Sequence, residues 1–257
     1  EVIVVHNDPH PLDLPSGAGL NLVSLAHAAG GSYAARNRGL EIAGGDIIAF
    51  TDADCVAHPD WLSYGVAAVE EAPSSVVGGH IEVFASSPWP TLAEKHQLVF
   101  AFNQEMNVGR RRGLPTANLF AAREVFDSVG HFDPAMQSGG DAEWSKRALE
   151  QGFSWSLAVG AVVYHPARES FRELSLQRAR FATAVGAQNG FGYRLRRLAS
   201  WVSPRQISSR EVRRLFRWGF SQALLLATVH VGLGFLQLVY GLVALTGVHN
   251  RGKESAI

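Results

Sequence analysis

The strongest constraint on this chain is a pair of short apolar runs on either side of a stretch of helical composition. Val2-Ile3-Val4-Val5 is continuous and β-branched, and Asp46-Ile-Ile-Ala-Phe50 holds a second apolar run. Both read as strands buried in a parallel sheet. Residues 32–43 lie between them and stop at Gly44-Gly45, a helix terminator. Strand, helix, strand is the repeating unit of a parallel sheet, in which each crossover is supplied by a helix. Residues 7–19 form a loop, since Pro9, Pro11 and Pro15 each remove a backbone donor, while residues 20–29 fit either a strand or a short helix. A chain that opens inside a buried strand at Glu1 is expected to have lost sequence upstream.

The pattern predicts further helices over 60–71, 92–107, 123–129, 141–151 and 171–187. It predicts strands over 75–84 and in the apolar run 161–164. At 257 residues, 47% hydrophobic and 18% charged, the chain is not disordered, and its length suits one large domain with an appendage. A lone cysteine, Cys55, excludes an internal disulfide framework and a thiol cluster for zinc. The zero net charge argues against a general nucleic-acid binder, yet it conceals two unlike halves. Residues 1–100 carry 12 acids and 3 bases, and residues 101–257 carry 11 acids and 20 bases.

In open α/β sheets ligands bind at the carboxyl ends of the strands, which is where Asp52 and Asp54 fall. Two carboxylates one residue apart can surround a hard divalent cation, Mg²⁺ or Mn²⁺, that bridges to substrate phosphates. Taken alone, the pair reads more readily as a turn, where Asp is favoured for its backbone hydrogen bonds.

The wider context resembles a known family. Ala34-Ala-Arg-Asn-Arg-Gly39, then Ala43-Gly-Gly-Asp-Ile-Ile-Ala-Phe-Thr-Asp-Ala-Asp-Cys55, then Pro59-Asp-Trp-Leu62, resembles the donor-binding half of family 2 glycosyltransferases with the GT-A fold. The resemblance implies a Rossmann-like, mostly parallel α/β sheet. It places Asp52 near the ribose and the metal, makes Asp54 a metal ligand, and puts Arg36 near the nucleotide. Leu114-Pro-Thr-Ala-Asn-Leu-Phe120 and Gly140-Asp-Ala-Glu-Trp-Ser-Lys-Arg147 are similar to the acceptor half, so that Asp141 aligns with the catalytic base. Gly140 stands where many members have Glu, which keeps Glu143 open as an alternative to Asp141. Both fit the general need for a base on the acceptor side, and an N-cap is the ordinary explanation for an Asp at a helix start. The resemblance further implies donor contacts from Asn118, a late metal ligand in His165, and acceptor contacts from Glu143, Trp144 and Arg180. Trp144 suits either a sugar platform or the core. Arg180 lies in Gln177-Arg-Ala-Arg-Phe181, which resembles the Gln-x-x-Arg-Trp motif of processive members. Near the start the family's Asp-rich turn reads His6-Asn-Asp8, leaving Asn7 or Asp8 to meet the nucleobase. By the resemblance, the chain is expected to lack the family's first strand ahead of Glu1.

Residues 168–217 hold 12 arginines against 3 glutamates, and 218–250 hold no charged residue. The apolar stretch is long enough to cross a hydrocarbon core of about 30 Å as a helix. Arg205, Arg210, Arg213, Arg214 and Arg217 precede it and place the preceding domain in the cytoplasm by the positive-inside rule. His230, Gln237 and several glycines inside it leave a buried or interfacial helix pair as the other reading. The expected organisation is a glycosyltransferase domain over 1–185, a basic connector over 186–217 and a membrane-associated segment over 218–250. The expected function is inverting, metal-dependent transfer from a nucleotide-sugar donor to a saccharide or lipid-linked acceptor of the cell envelope. Two rivals remain: a silent membrane-anchored glycan-binding or scaffold protein of the same fold, and a phosphohydrolase or nucleotidyltransferase using the Asp pair. No nucleic-acid partner is expected, since no binding motif accompanies the arginines.

Overall fold

A computed structural model describes residues 1–6, 8, 10, 12, 19, 21–27, 30–188 and 207–245. The chain divides into two compact units, the first Glu1–Ile81 with Gln104–Tyr164 and the second Glu82–Asn103 with His165–Ile257.

The first unit opens with β1 (Val2–His6), paired in parallel with β2 (Leu22–Ala26), so the ambiguous stretch over 20–29 is a strand. Among the described residues these two make a sheet of their own. With one neighbour each they are half-exposed, which corrects the expectation that the opening run is buried on both faces. Helix α1 (Ser32–Ile42) turns Tyr33, Asn37 and Leu40 inward, the i, i+4, i+7 spacing of a single helix face, and leads to β3 (Ile47–Thr51).

The main sheet adds β4 (Val56–Ala57), β5 (Ser75–Phe84), β6 (Asn118–Ala122) and β7 (Ser154–Pro166) in the order β3-β6-β5-β7-β4. The α/β class is as expected, but the described pairings of this sheet are not the mostly parallel ones expected. β3 with β6, β5 with β6, and β4 with β7 are all antiparallel. The stretch over 85–117 that joins β5 to β6 is long enough to bring β6 back in either direction, so the connection does not impose a parallel pair. Strand alternation sends Leu119 and Ala121 of β6 into one core and Phe120 into another. The first core is completed by α5 (Arg123–Val129) and α6 (Gly140–Glu150). On the second, α2 (Trp61–Glu71) sits against the strand through Gly65, where a Cβ would come within 2.2 Å of the Phe120 ring.

The second unit is built on helices. The single helix expected over 92–107 is two, α3 (Leu92–Phe100) and α4 (Gln104–Gly109), the latter belonging to the first unit. The break falls at Ala101, which is extended, and Phe102, which takes φ 50°. No glycine or proline announces it. α7 (Phe171–Gln188) follows β7, and part of the expected connector is itself helical, α8 (Ser209–Phe216), started by a capping box of Ser208 and Glu211. The last described element, α9 (Phe220–Leu245), has the length and composition to cross a membrane. Its Ala223 and Leu226 pack with Val99 and Leu215, and its Leu233 packs with Ala93 and Leu174.

Candidate active site

Strand β3 ends at Thr51 and the chain turns at once, the Cys55 N–H donating to the Asp52 carbonyl at 3.0 Å. Asp52 is part-buried and Asp54 exposed at this turn. Arg36 of α1 donates from Nη2 to Asp52 Oδ1 at 2.6 Å, and its guanidinium lies 5.4 Å from the centre of the Tyr33 ring. With 16% of its side chain exposed, Arg36 is committed to this pair and is not a solvated helix residue. Burial, and then the neighbouring Asp52, push the Cys55 thiol up to about 11, so it is protonated at neutral pH.

Asp141 is the second residue of α6, and it does not cap the helix. The N-cap is Gly139 with φ 77°, and no side chain serves there. The Asp141 carboxylate instead takes the Tyr33 hydroxyl at 3.2 Å and the Ala142 N–H at 2.8 Å on Oδ1, and the Thr116 N–H at 3.4 Å on Oδ2. Gly140 makes this possible, because a Cβ there would stand 2.8 Å from the Tyr33 ring. The residue that departs from the family pattern is therefore the one that admits Tyr33. Burial pushes the Asp141 carboxyl above its ordinary range, an effect opposed by the Ala142 N–H, the Arg36 charge and the Tyr33 hydroxyl. Burial, then Asp141 itself, raise the Tyr33 phenol, which stays protonated and donates.

Asp52, Arg36, Tyr33 and Asp141 thus form a connected set within the first unit, joining the strand-end carboxylates to the second acid. Tyr33 was not among the residues singled out from sequence. Its signal was position: it lies three residues before Arg36 on the same helix face.

Several expectations are corrected. Glu143 is held by Arg147 at 2.6 Å and 3.1 Å, and that arginine also donates to the carbonyls of Val129 and His131. The pair anchors α6. Trp144 is fully buried, stacked 4.4 Å from Phe126, with Nε1 donating to the Gly130 carbonyl at 2.7 Å. It is core and cannot be a sugar platform. Asn118 is fully buried too, taking the Trp61 Nε1–H at 2.9 Å and donating to the carbonyls of His80 and Ala161 at 2.8 Å each. Both polar atoms of its fully buried amide are used in tying α2, β5, β6 and β7 together.

His165 is buried near the end of β7, with Nδ1 2.7 Å from the Pro166 carbonyl oxygen. The residue before it, Tyr164, pairs with Val56 of β4. Arg180 lies exposed on α7 in the second unit. Asn7 lies outside the described residues.

Residues 17–130 match the model of the family described as glycosyl transferase family 2. The glycosyltransferase AglE of Haloferax volcanii is 38% identical over 138 residues, covering 54% of this chain and 45% of that protein. The pre-mycofactocin glycosyltransferase of Mycobacterium tuberculosis is 25% identical over 159 residues, covering 58% and 33%. The chain thus spans less than half the length of these relatives. Among solved structures, the mannosyltransferase PcManGT from Pyrobaculum calidifontis, in complex with GDP-Man and Mn²⁺, aligns over 88% of this chain and 69% of its own with a TM-score of 0.50 and 15% identity. That likeness shows the fold.

Proposed function

The chain belongs to glycosyltransferase family 2, and from that premise we propose that it transfers a sugar, with inversion, from a nucleotide-sugar donor to a saccharide or lipid-linked acceptor. The observation that carries this reading is the connected set Asp52, Arg36, Tyr33 and Asp141.

In the proposed step the Asp141 carboxylate accepts the proton of the acceptor hydroxyl as its oxygen attacks the anomeric carbon. The bond from that carbon to the diphosphate oxygen breaks, and its electron pair leaves with the nucleoside diphosphate. A buried carboxyl with a raised pKa is a stronger base than an exposed one, and the Tyr33 hydroxyl orients it. Arg36 sets the position of Asp52 and contributes positive charge near the donor diphosphate.

The hard oxygens of Asp52 and Asp54 suit Mg²⁺ or Mn²⁺. When bound, such a cation neutralises charge developing on the diphosphate leaving group. The solved protein that shares the fold holds GDP-Man and Mn²⁺, the class of donor and cation proposed here.

Membrane association through the second unit, on the cytoplasmic face, completes the reading. It is supported by α9 and by the 12 arginines against 3 glutamates over 168–217.

The test is a panel of UDP- and GDP-sugars with Mn²⁺ and the full chain, reading nucleoside diphosphate release and sugar transfer. Turnover that EDTA abolishes, and that Asp54→Ala lowers by about 100-fold or more, is the expected result. Inorganic phosphate released without sugar transfer would favour a phosphohydrolase, and neither binding nor turnover of any donor would favour a silent scaffold.

A further inference from the structure

Helix α9 is buried along one side only. At 100° per residue, Phe220, Leu224, Val231, Phe235, Val239 and Leu242 fall within an arc of about 100°, and all are exposed. Ala223, Leu226, Leu233 and Gln237 lie on the opposite side, and all are buried. That buried seam is covered by other helices along its length. Lys95 of α3 donates to Gln222 at 3.0 Å, and His96 lies 3.2 Å from His230. Leu174 of α7 packs with Leu233, and Arg178 donates to Gln237 at 3.1 Å.

These contacts bear on whether α9 can cross a bilayer. To cross it, α9 would have to take α3 and α7 into the hydrocarbon, or lose the helices that cover its polar seam. α7 carries Arg172, Glu173 and Arg180 exposed on its surface, and Lys95 stands on α3. Such charges are costly within a membrane unless they face protein or water.

The neighbouring surface is complementary to an anionic lipid headgroup region. α8 exposes Val212 and Phe216 beside the exposed Arg213 and Arg217, and the rings of Phe216 and Phe220 stack at 6.4 Å. An apolar groove of about 540 Å³, lined by Phe171, Val229, Leu233, Phe235 and Val239, opens along α9.

We propose that α8 and α9 lie in the plane of a single anionic leaflet, with the exposed arc of α9 among the acyl chains and Arg213 and Arg217 at the phosphates, and that α9 does not cross the membrane. This rests on the membrane-association reading above. The length and apolar composition that suggest a span are also those of a helix embedded along its side.

The test uses the full chain in a Cys55→Ser background, with one fluorescent label at a time on Phe220→Cys, Val231→Cys or Leu242→Cys. Each is bound to vesicles of phosphatidylcholine with or without phosphatidylglycerol, and label depth is read by lipid-attached quenchers. The account expects the three labels at one common depth of about 5–10 Å. It also expects binding to fall at least tenfold without phosphatidylglycerol or on raising NaCl from about 0.1 to 0.5 M. A central label much deeper than the two ends would show a spanning helix and overturn the proposal, while leaving membrane association intact. No binding to either vesicle would overturn both. Labels shielded without lipid, in a chain that sediments as a dimer, would assign the face to a second copy and overturn the proposal.

Discussion

Tyr33 is the residue on which the proposed chemistry turns most finely. Its hydroxyl favours the ionised form of Asp141, while burial disfavours it. Activity is therefore expected to rise with pH as Asp141 loses its proton, with an acid limb above the ordinary aspartate value of about 3.9. In Tyr33→Phe the favouring hydrogen bond is gone and the limb moves further up. The loss of kcat/KM is then expected to be largest on the acid limb and to shrink toward pH 8. A uniform loss at every pH would reduce Tyr33 to packing. Asp52 and Asp54 were legible in the sequence because they directly follow an apolar run, whereas Asp141 stood out only through the resemblance of its segment to the family. Asn118 and Trp144 lie in segments that match the family equally well, yet each is fully buried and bonded to backbone or core. Their roles were decided by burial, which residue identity alone does not carry. Tyr33 was missed for the complementary reason: its partner lies 108 residues away.

At the scale of elements, most boundaries followed from periodicity and terminators. α1, α2, β5 and α5 sit within a residue of their expected spans. The direction of β6 did not follow, since pairing direction depends on a chain path that local pattern does not encode. Nor did the break at Phe102, where a left-handed backbone occurs in a residue that seldom adopts it. The seating of α2 on β6 gives a prediction whose sign differs from helix propensity. Glycine to alanine in a helix usually stabilises by about 1 kcal/mol. At Gly65 the new Cβ would meet the Phe120 ring at 2.2 Å, and that ring is fully buried. Gly65→Ala is therefore expected to destabilise by about 1–3 kcal/mol, read as a lower urea midpoint with an unchanged slope. A higher midpoint would show that α2 can shift off the strand.

The whole molecule divides its charge as it divides its proposed work. The acidic first hundred residues contain Asp52 and Asp54, and the arginine-rich stretch over 168–217 runs up to the apolar helix, so a net charge of zero is a sum of two opposite requirements. The sequence showed that asymmetry directly. It did not show that residues 82–103 join the C-terminal helices in a unit of their own, because that association is made by α3 packing on α9 over more than a hundred residues of chain. The claim that binds these observations is that Asp141 is the base of a sugar transfer from a nucleotide donor. Its most direct test is kcat for Asp141→Asn on the best donor found, beside donor binding by the same variant. The account predicts a loss of about 10²- to 10⁴-fold in kcat with donor affinity retained. An Asp141→Asn variant that transfers sugar at the unaltered rate would contradict it.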